Sequence, residues 1–176
     1  MQDWDLIGKN ILLFVVDGIF GYFFQFMGHA IAIHTFNKRQ IKPKSFLLMT
    51  VIFAVSAYLI RLLPIVFGYH TILNMIVCIV VSVLVFKTAI YPTVLAVLLT
   101  IVSILIFEMV NYGLLSLFMG SSTVDGYLAV ENSVLKSIMG IPTNIFLIIE
   151  MIILYKVLPK KLLKGGFNGR DSQKFS

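Results

Sequence analysis

The sequence predicts an all-α protein, a polytopic transmembrane helical bundle of about five helices with its N-terminus outside and its C-terminus inside. Three observations lead to this prediction: 59% of the residues are hydrophobic, only 12% are charged, and the apolar residues fall into long continuous runs. A soluble domain carries roughly a quarter charged residues, so this chain has too few to cover a folded surface in water. Lipid is therefore the expected solvent.

Five apolar segments account for most of the chain. Their approximate bounds are residues 11–36, 46–67, 71–86, 91–119 and 138–158. All but the short third segment are close to or above the roughly 20 residues that cross a hydrocarbon core. The runs are continuously apolar, whereas the strands of a membrane β-barrel alternate in polarity, so helices are predicted. Residues 1–164 then form one transmembrane domain, and the glycine-rich, polar residues 165–176 form a flexible cytoplasmic tail.

Basic residues set the predicted orientation, because connections rich in Lys and Arg are retained in the cytoplasm. With the first connection inside, eleven of the fourteen basic residues lie inside. They are Lys38, Arg39, Lys42, Lys44, Lys87, Lys156, Lys160, Lys161, Lys164, Arg170 and Lys174. Only Lys9, Arg61 and Lys136 remain towards the outside. This imbalance favours an odd number of spans, and the membrane is expected to be a bacterial plasma membrane.

The sequence contains few features of a nucleic-acid-binding protein, a soluble enzyme or a metal-binding site. Its net charge of +6 comes from basic residues between apolar runs, where they contact membrane lipids, so no nucleic-acid partner is expected. Cys78 is the only cysteine, and neither a phosphate-binding glycine loop nor a His-Glu-x-x-His motif occurs. His29 and His34 are five residues apart and face different sides of a helix, which argues against a shared metal ion. We expect no cofactor, no metal and no enzymatic activity.

Ionisable residues inside the apolar segments are the most informative ones, because a lone charge in hydrocarbon is costly. Arg61 and Glu108 are predicted at one depth, about two-thirds of the way outward along the second and fourth helices, and form one candidate pair. His29 and Glu150, in the cytoplasmic halves of their helices, form another. Either pair is consistent with a polar clasp that fixes helix register, and also with a ligand- or proton-responsive switch.

The predicted outer face holds the candidate ligand region. Its candidate residues are Asp17, Tyr69, His70, Asn74, Asp125 and Glu131. The last two belong to the polar connection of residues 120–137, which is either a ligand-facing element or a plain link between helices. Three asparagines are candidates for hydrogen bonds between helices. They are Asn74, Asn111 and Asn144.

One part of the chain resembles a known family. The run FGYHTILN from Phe67 to Asn74, with Phe86-Lys87 and the apolar run into Phe107-Glu108, resembles the membrane sensor domain of Gram-positive, peptide-sensing histidine kinases. In that family the membrane domain leads into a cytoplasmic dimerisation and ATP-binding module, and no such module follows residue 164 here. The resemblance implies a sensor-like or regulatory module. Such a module recognises a ligand from the outer face or within the bilayer, and acts on a protein partner or as a homo-oligomer.

A small substrate-binding or transporter component of a membrane transport complex is the competing function. The substrate-binding subunits of energy-coupling-factor vitamin transporters are similar in size and hydrophobicity. They resemble six-helix bundles with an Ala-x-x-x-Ala contact motif in the first helix, and residues 11–36 lack that motif. An intramembrane enzyme is the weakest class, because it needs a Ser, Cys or paired-carboxylate constellation at one depth and Cys78 has no apparent catalytic His partner.

Overall fold

The protein is helical throughout the part that a computed structural model describes, namely residues 8, 11, 12, 14–64, 68–129 and 134–164. No strand occurs in these residues. A π-helical segment, Phe14–Phe23, comes first. Six α-helices follow: α1 Phe24–Phe36, α2 Pro43–Arg61, α3 Tyr69–Leu84, α4 Ile90–Met119, α5 Ser121–Ala129 and α6 Val134–Lys164. The predicted tail, residues 165–176, lies outside the described residues.

Within the described residues, three stretches are long and apolar enough to cross a membrane, which indicates a multi-pass membrane protein. They are Pro43–Arg61, Ile90–Met119 and Ser137–Leu158. The shorter apolar helix α3 corresponds to the predicted short third span. The predicted first span is divided between the π-helical segment and α1, so neither piece alone has the length of a span. The count of five spans stays a prediction.

The connection expected at residues 120–137 contains a helix. Gly120 has φ +83°, a left-handed conformation that glycine adopts without a Cβ clash, and it ends α4. Its carbonyl accepts the amide hydrogen of Val124 at 3.2 Å, and α5 begins at Ser121. Val124 is fully buried. Packing of this apolar residue offsets the weak helix propensity of a segment that begins Ser-Ser-Thr.

The surface and the interior of the bundle have the composition expected in lipid. Large apolar side chains are exposed along α2, α3, α4 and α6, including Leu59, Ile76, Leu105 and Ile153. Hydroxyl-bearing residues are buried instead, and they bond to carbonyls of their own helices. Examples are Thr35 to Ile31 at 2.7 Å, Thr50 to Phe46 at 3.0 Å, Ser82 to Cys78 at 2.6 Å and Thr100 to Ala96 at 2.7 Å.

Helix α1 is the centre of the bundle. It packs against α2, α4 and α6, and almost every side of it is buried. Small residues make this possible, because they let neighbouring helix backbones approach closely. Ala30 has no exposed surface, and a Cβ built on Gly28 lies 2.9 Å from Leu147 Cδ2 of α6. The contact between Gly28 and Leu147 therefore fixes how near α1 and α6 lie.

Two connections meet at one end of the bundle, which we call the basic end after Lys38, Arg39, Lys42, Lys44 and Lys87. The Arg39 guanidinium donates to the carbonyls of Phe86 and Lys87. Asn37 bonds to the start of α4: its Oδ1 accepts the Ala89 amide hydrogen at 2.9 Å, and its Nδ2 donates to Thr93 Oγ1 at 3.1 Å. These bonds hold the α1–α2 connection against the α3–α4 connection.

At the opposite end, α2 finishes at Arg61 and α3 starts after Gly68. Gly68 has φ +96°, so this turn favours glycine. His70 Nδ1 donates to the carbonyl of Ile60 at 3.1 Å, which ties the start of α3 to the last turn of α2. Because α2 and α4 run from the basic end and α3 and α6 run towards it, neighbouring α2, α3 and α4 are antiparallel.

We expect the Gly28→Ala variant to be less stable than a matched Gly113→Ala variant, by about 1 kcal/mol or more. The added methyl group at residue 28 displaces the fully buried Leu147, whereas a Cβ on Gly113 of α4 meets no atom within 4 Å. Thermal unfolding of the two variants in the same detergent measures the difference. Equal melting temperatures would contradict a tight α1–α6 contact.

Candidate functional site

A polar cavity of about 450 Å³ lies near the end of the bundle opposite the basic end. The π-helical segment and helices α1, α2, α4, α5 and α6 all contribute to its wall. Its polar lining residues are Tyr22, Gln25, Arg61, Glu108, Asn111, Tyr112, Ser137, Thr143 and Asn144. A cavity of this size falls within the range of small-molecule sites, about 300–1,000 Å³. Charges of both signs in one cavity suit binding of a polar ligand.

Arg61 is the last residue of α2 and an exposed member of the cavity wall. Its guanidinium donates a hydrogen bond to the Tyr22 hydroxyl, and its carbon Cζ lies 5.7 Å from the centre of the Tyr22 ring. This distance is within the range of a cation–π contact. Tyr22, from the π-helical segment, therefore positions the cation at the cavity. Long π-helices are rare, and short ones recur at functional sites.

Glu108 of α4 is the only acidic residue among the described residues that line the cavity. Arg61 and Glu108 each lie 18 residues from the first residue of their helices, Pro43 and Ile90. At about 1.5 Å per residue this places both about 27 Å from the basic end. Arg61 is the last residue of α2 and not two-thirds of the way along it, as the sequence predicted, and the common depth of the two residues in the membrane stays a prediction. Within the described part of the chain, no hydrogen bond or ion pair to the Glu108 carboxylate is recorded, so its direct contact with Arg61 stays a prediction.

Two asparagines hold the cavity wall together. Asn111 Nδ2 of α4 donates to the Met139 carbonyl of α6 at 2.6 Å. Asn144 Nδ2 of α6 donates to the Gly21 carbonyl of the π-helical segment at 3.3 Å. The predicted hydrogen bonds between helices are thus confirmed for Asn111 and Asn144. Asn74 lies elsewhere, in the wall of a smaller cavity.

Thr143 of α6 contributes to the cavity wall, although the residue is only 4% exposed. Its Oγ1 is buried and has no hydrogen-bond partner among the described residues. Ser116 Oγ and Glu150 Oε2, which belong to residues outside both cavities, are in the same state, so this property is not specific to the cavity.

A smaller cavity of about 170 Å³ continues from the polar cavity towards the middle of the bundle. Tyr22, Gln25, Ile104 and Glu108 line both cavities. His29 lines only the smaller one, and its Nδ1 donates to the Gln25 carbonyl at 3.2 Å. Glu108 thus separates an opening near the helix ends from a deeper polar pocket that contains His29.

Glu150 lies apart from both cavities. Its Oε1 accepts a hydrogen bond from Ser103 Oγ at 3.0 Å, and its Oε2 is buried without a partner among the described residues. The recorded bonds of His29 and Glu150 go to Gln25 and Ser103, so pairing of His29 with Glu150 stays a prediction. The bond between Ser103 and Glu150 joins α4 to α6.

The candidate ligand residues of the predicted outer face are only partly brought together. Asn74 lines the smaller cavity, and Asp125 accepts a hydrogen bond at 2.9 Å from the Tyr112 hydroxyl of the polar cavity. Tyr69 is 62% exposed and, like His70, lines neither cavity. Glu131 and the side chain of Asp17 lie outside the described residues.

Several residues that line the cavity are not predicted from the sequence. Tyr22, Gln25, Tyr112 and Thr143 are ordinary in type and isolated among apolar neighbours. The signal that could have found Tyr22 and Gln25 is their spacing of three residues, which puts two polar side chains on one side of a helix. In the described residues, no group of three or more His, Cys, Asp or Glu side chains is placed to hold a metal ion.

Comparison of the chain with protein families, with characterised proteins and with solved structures finds no match. The functional argument therefore depends on the cavity and its charges.

We expect Arg61→Met and Glu108→Gln to show coupled effects on thermal stability in detergent. Both side chains line one cavity, so removal of either charge changes the electrostatic environment of the other, and the double variant should lose less than the sum of the single losses. A parallel cycle of Arg61→Met with Glu150→Gln is the control, because Glu150 lies outside the cavity. Coupling of the same size in both cycles would count against a specific interaction across the cavity.

Proposed function

We propose that this protein is a membrane sensor-like or regulatory module that recognises a small ligand in the polar cavity and passes the signal to a protein partner. The observation that carries the proposal is the cavity itself, whose wall contains both Arg61 and Glu108. Structural polar clasps in membrane bundles satisfy their own groups. A cavity of about 450 Å³ whose wall carries charges of both signs has the size and lining of a small-molecule site.

The predicted orientation makes the cavity accessible from outside. With the basic end in the cytoplasm, Arg61 and Glu108 lie about 27 Å from the inner boundary, close to the roughly 30 Å thickness of the hydrocarbon core. Water and soluble ligands reach such a depth easily. In this orientation helix α5 lies on the outer side and contributes Val124 to the cavity wall. A movement of α5 there would respond to a ligand. The proposed location is the bacterial plasma membrane.

Ligand recognition at this end supports signalling through the helices that line the cavity. Helices α4 and α6 contribute to the wall and also extend to the basic end, where a cytoplasmic or membrane partner can contact them. A shift at Glu108 or Thr143 is therefore able to reach the inner surface through rigid helices. The expected partner is a kinase, another regulator or a second copy of the chain.

A transporter component is the second candidate function. The observation that favours it is that the two cavities share Glu108, Gln25 and Tyr22, so polar space extends from near the helix ends towards His29. A substrate path through a bundle requires such polar space at membrane depth. Glu108 lines both cavities, so along this path it has the position of a residue that controls passage from one cavity to the other.

We expect reporter fusions after Lys44, Lys87 and Lys164 to give a cytoplasmic signal and a fusion at Thr123 to give an external one. The physical reason is the retention of basic connections in the cytoplasm. Paired reporters, one active inside and one active outside, supply the control at each site. An internal signal at Thr123 would reject the proposed outer position of the cavity.

We expect the native complex, purified from membranes through a C-terminal tag, to contain a histidine kinase or another signalling protein. A pair of ATPases in its place would favour the transporter function.

The Gly140→Phe variant tests the cavity, because Gly140 lines it and a Cβ there meets no atom within 4 Å. We expect the Gly140→Phe variant to bind the partner protein as before but to lose its signalling response to a change of the external medium. Gly113→Phe, outside the cavity but equally unobstructed, should keep both.

A further inference from the structure

We propose that the smaller cavity binds a short aliphatic amine whose far end carries a hydroxyl group, with the ammonium group at Glu108 and the hydroxyl group at His29. This site goes beyond the proposed function, which rests on the polar cavity, although Glu108 lines both cavities.

Helices α1, α3 and α4 line the smaller cavity, each with residues spaced to fall on one face. Helix α3 contributes residues from Thr71 to Cys78, and α4 contributes residues from Ile101 to Glu108. Seven positions separate the ends of each set, so the cavity extends about 10 Å along the helix axes. Because α3 runs towards the basic end and α4 runs from it, Thr71 and Glu108 mark the end away from the basic end, which we call the mouth. Cys78 and Ile101 mark the other end, which we call the floor.

The mouth is accessible and the floor is enclosed. Thr71 and Glu108 are exposed, whereas Cys78 is only 2% exposed. His29 also belongs to the floor, because α1 runs towards the basic end and His29 is the last of its residues in the wall. It is 4% exposed. The charged group of a ligand therefore belongs at the mouth and an uncharged group at the floor, since burial of a charge is costly.

Glu108 selects the charged group. It is the only charged side chain among the described residues that line the smaller cavity, and Arg61 lines only the polar cavity. An ionised carboxylate only accepts hydrogen bonds, and no described residue is recorded as donating one to Glu108. A primary ammonium group has a positive charge and three N–H donors, so it matches this carboxylate in both respects.

His29 supplies an acceptor at the floor. Its Nδ1 donates to the Gln25 carbonyl at 3.2 Å, so Nε2 of the neutral ring carries a lone pair. No described residue is recorded as bonding to Nε2. The fully enclosed atoms without a partner in the described part of the chain are Ser116 Oγ, Thr143 Oγ1 and Glu150 Oε2. His29 Nε2 is not one of them, so it retains accessible surface. A hydroxyl group donates to this nitrogen without bringing a charge to the floor.

The wall between the mouth and the floor suits a short carbon chain. Met75, Ile104 and Leu105 provide apolar surface for methylene groups. Gln25 and Asn74 lie at the same level, and no hydrogen bond of either side-chain amide is recorded in the described residues, so their carbonyl oxygens are able to accept from the ammonium group. A volume of about 170 Å³, below the roughly 300 Å³ of ordinary small-molecule sites, restricts the ligand to a few heavy atoms.

Taken together, the polar side chains of this cavity are those of a binding site. A purely structural set of buried polar residues bonds within itself, as Asn111 does to Met139 in the polar cavity. In the smaller cavity, the described carboxylate of Glu108 and ring nitrogen Nε2 of His29 have no such bonds recorded. A two-ended ligand provides a donor for each of them.

The test measures the melting temperature of the full chain against ligand concentration, in a nonionic detergent and a phosphate buffer without Tris, which is itself an amino alcohol. The ligands are ethanolamine, aminopropanol, aminobutanol and aminopentanol, each with its amine and hydroxyl groups at opposite ends. The matched alkylamine has a methyl group in place of the hydroxyl, and the matched diol has a hydroxyl in place of the amine. We expect one amino alcohol to stabilise the protein saturably and both of its matched compounds to bind about tenfold more weakly.

Two variants assign the two ends of the ligand. Glu108→Gln is nearly isosteric and should lose the preference for the amino alcohol over the diol. Its control is Glu150→Gln, because Glu150 lines neither cavity and should leave the preference unchanged. His29→Phe keeps a ring and should lose the preference for the amino alcohol over the alkylamine. Its control is His34→Phe, since His34 is buried but lines neither cavity.

Three outcomes would overturn the proposed ligand. Equal binding of the amino alcohol and the alkylamine removes the role of His29, and equal binding of the amino alcohol and the diol removes that of Glu108. No saturable stabilisation by any amino alcohol at millimolar concentration would mean that the smaller cavity holds only water. Gly140→Phe, which alters the wall of the polar cavity alone, should still bind the amino alcohol, so the proposed function is decided separately.

Discussion

The close packing of α1 against α6 is the constraint on which the rest of the structure depends. Because Gly28 has no side chain, Leu147 fills the space beside the α1 backbone, and α1 is buried on nearly every side. In lipid the hydrophobic effect does not drive helices together, so such close contacts supply much of the association energy. With α1 fixed at the centre, the polar cavity lies among the helices near the end opposite the basic end, and its wall includes residues of α1, α2, α4, α5 and α6.

Polar groups are distributed unequally between the two ends, and each distribution has its own physical result. At the basic end, Asn37 and Arg39 bond to backbone groups of the next connection and hold the two connections together. At the opposite end, Arg61 and Glu108 line a cavity, and Asn111 and Asn144 donate hydrogen bonds across its wall. The basic end is thus joined directly through backbone groups, whereas the opposite end encloses a cavity with charges of both signs.

Helix α5 illustrates a limit of local sequence patterns. Its Ser-Ser-Thr start and Gly126 are typical of a connection, and the apolar signal in residues 121–129 is weak. Tertiary contacts override these preferences, since Val124 is fully buried and Asp125 accepts a bond from Tyr112. The first span is continuously helical from Phe14 to Phe36, as the composition predicts, and its π-helical first part is the feature that the sequence does not predict.

The sequence by itself determined the helical class, the membrane environment and the approximate bounds of most helices, because hydrophobicity and length dictate these properties. Only the tertiary structure decided which side chains share a cavity. Helix α4 has small and polar residues on its buried side, such as Thr93, Ala96 and Thr100, but this stripe does not specify which neighbouring residues it meets. In lipid a Leu side chain gains little by facing a neighbouring helix rather than the bilayer. Close packing at positions such as Gly28 therefore sets the rotation of the helices about their axes.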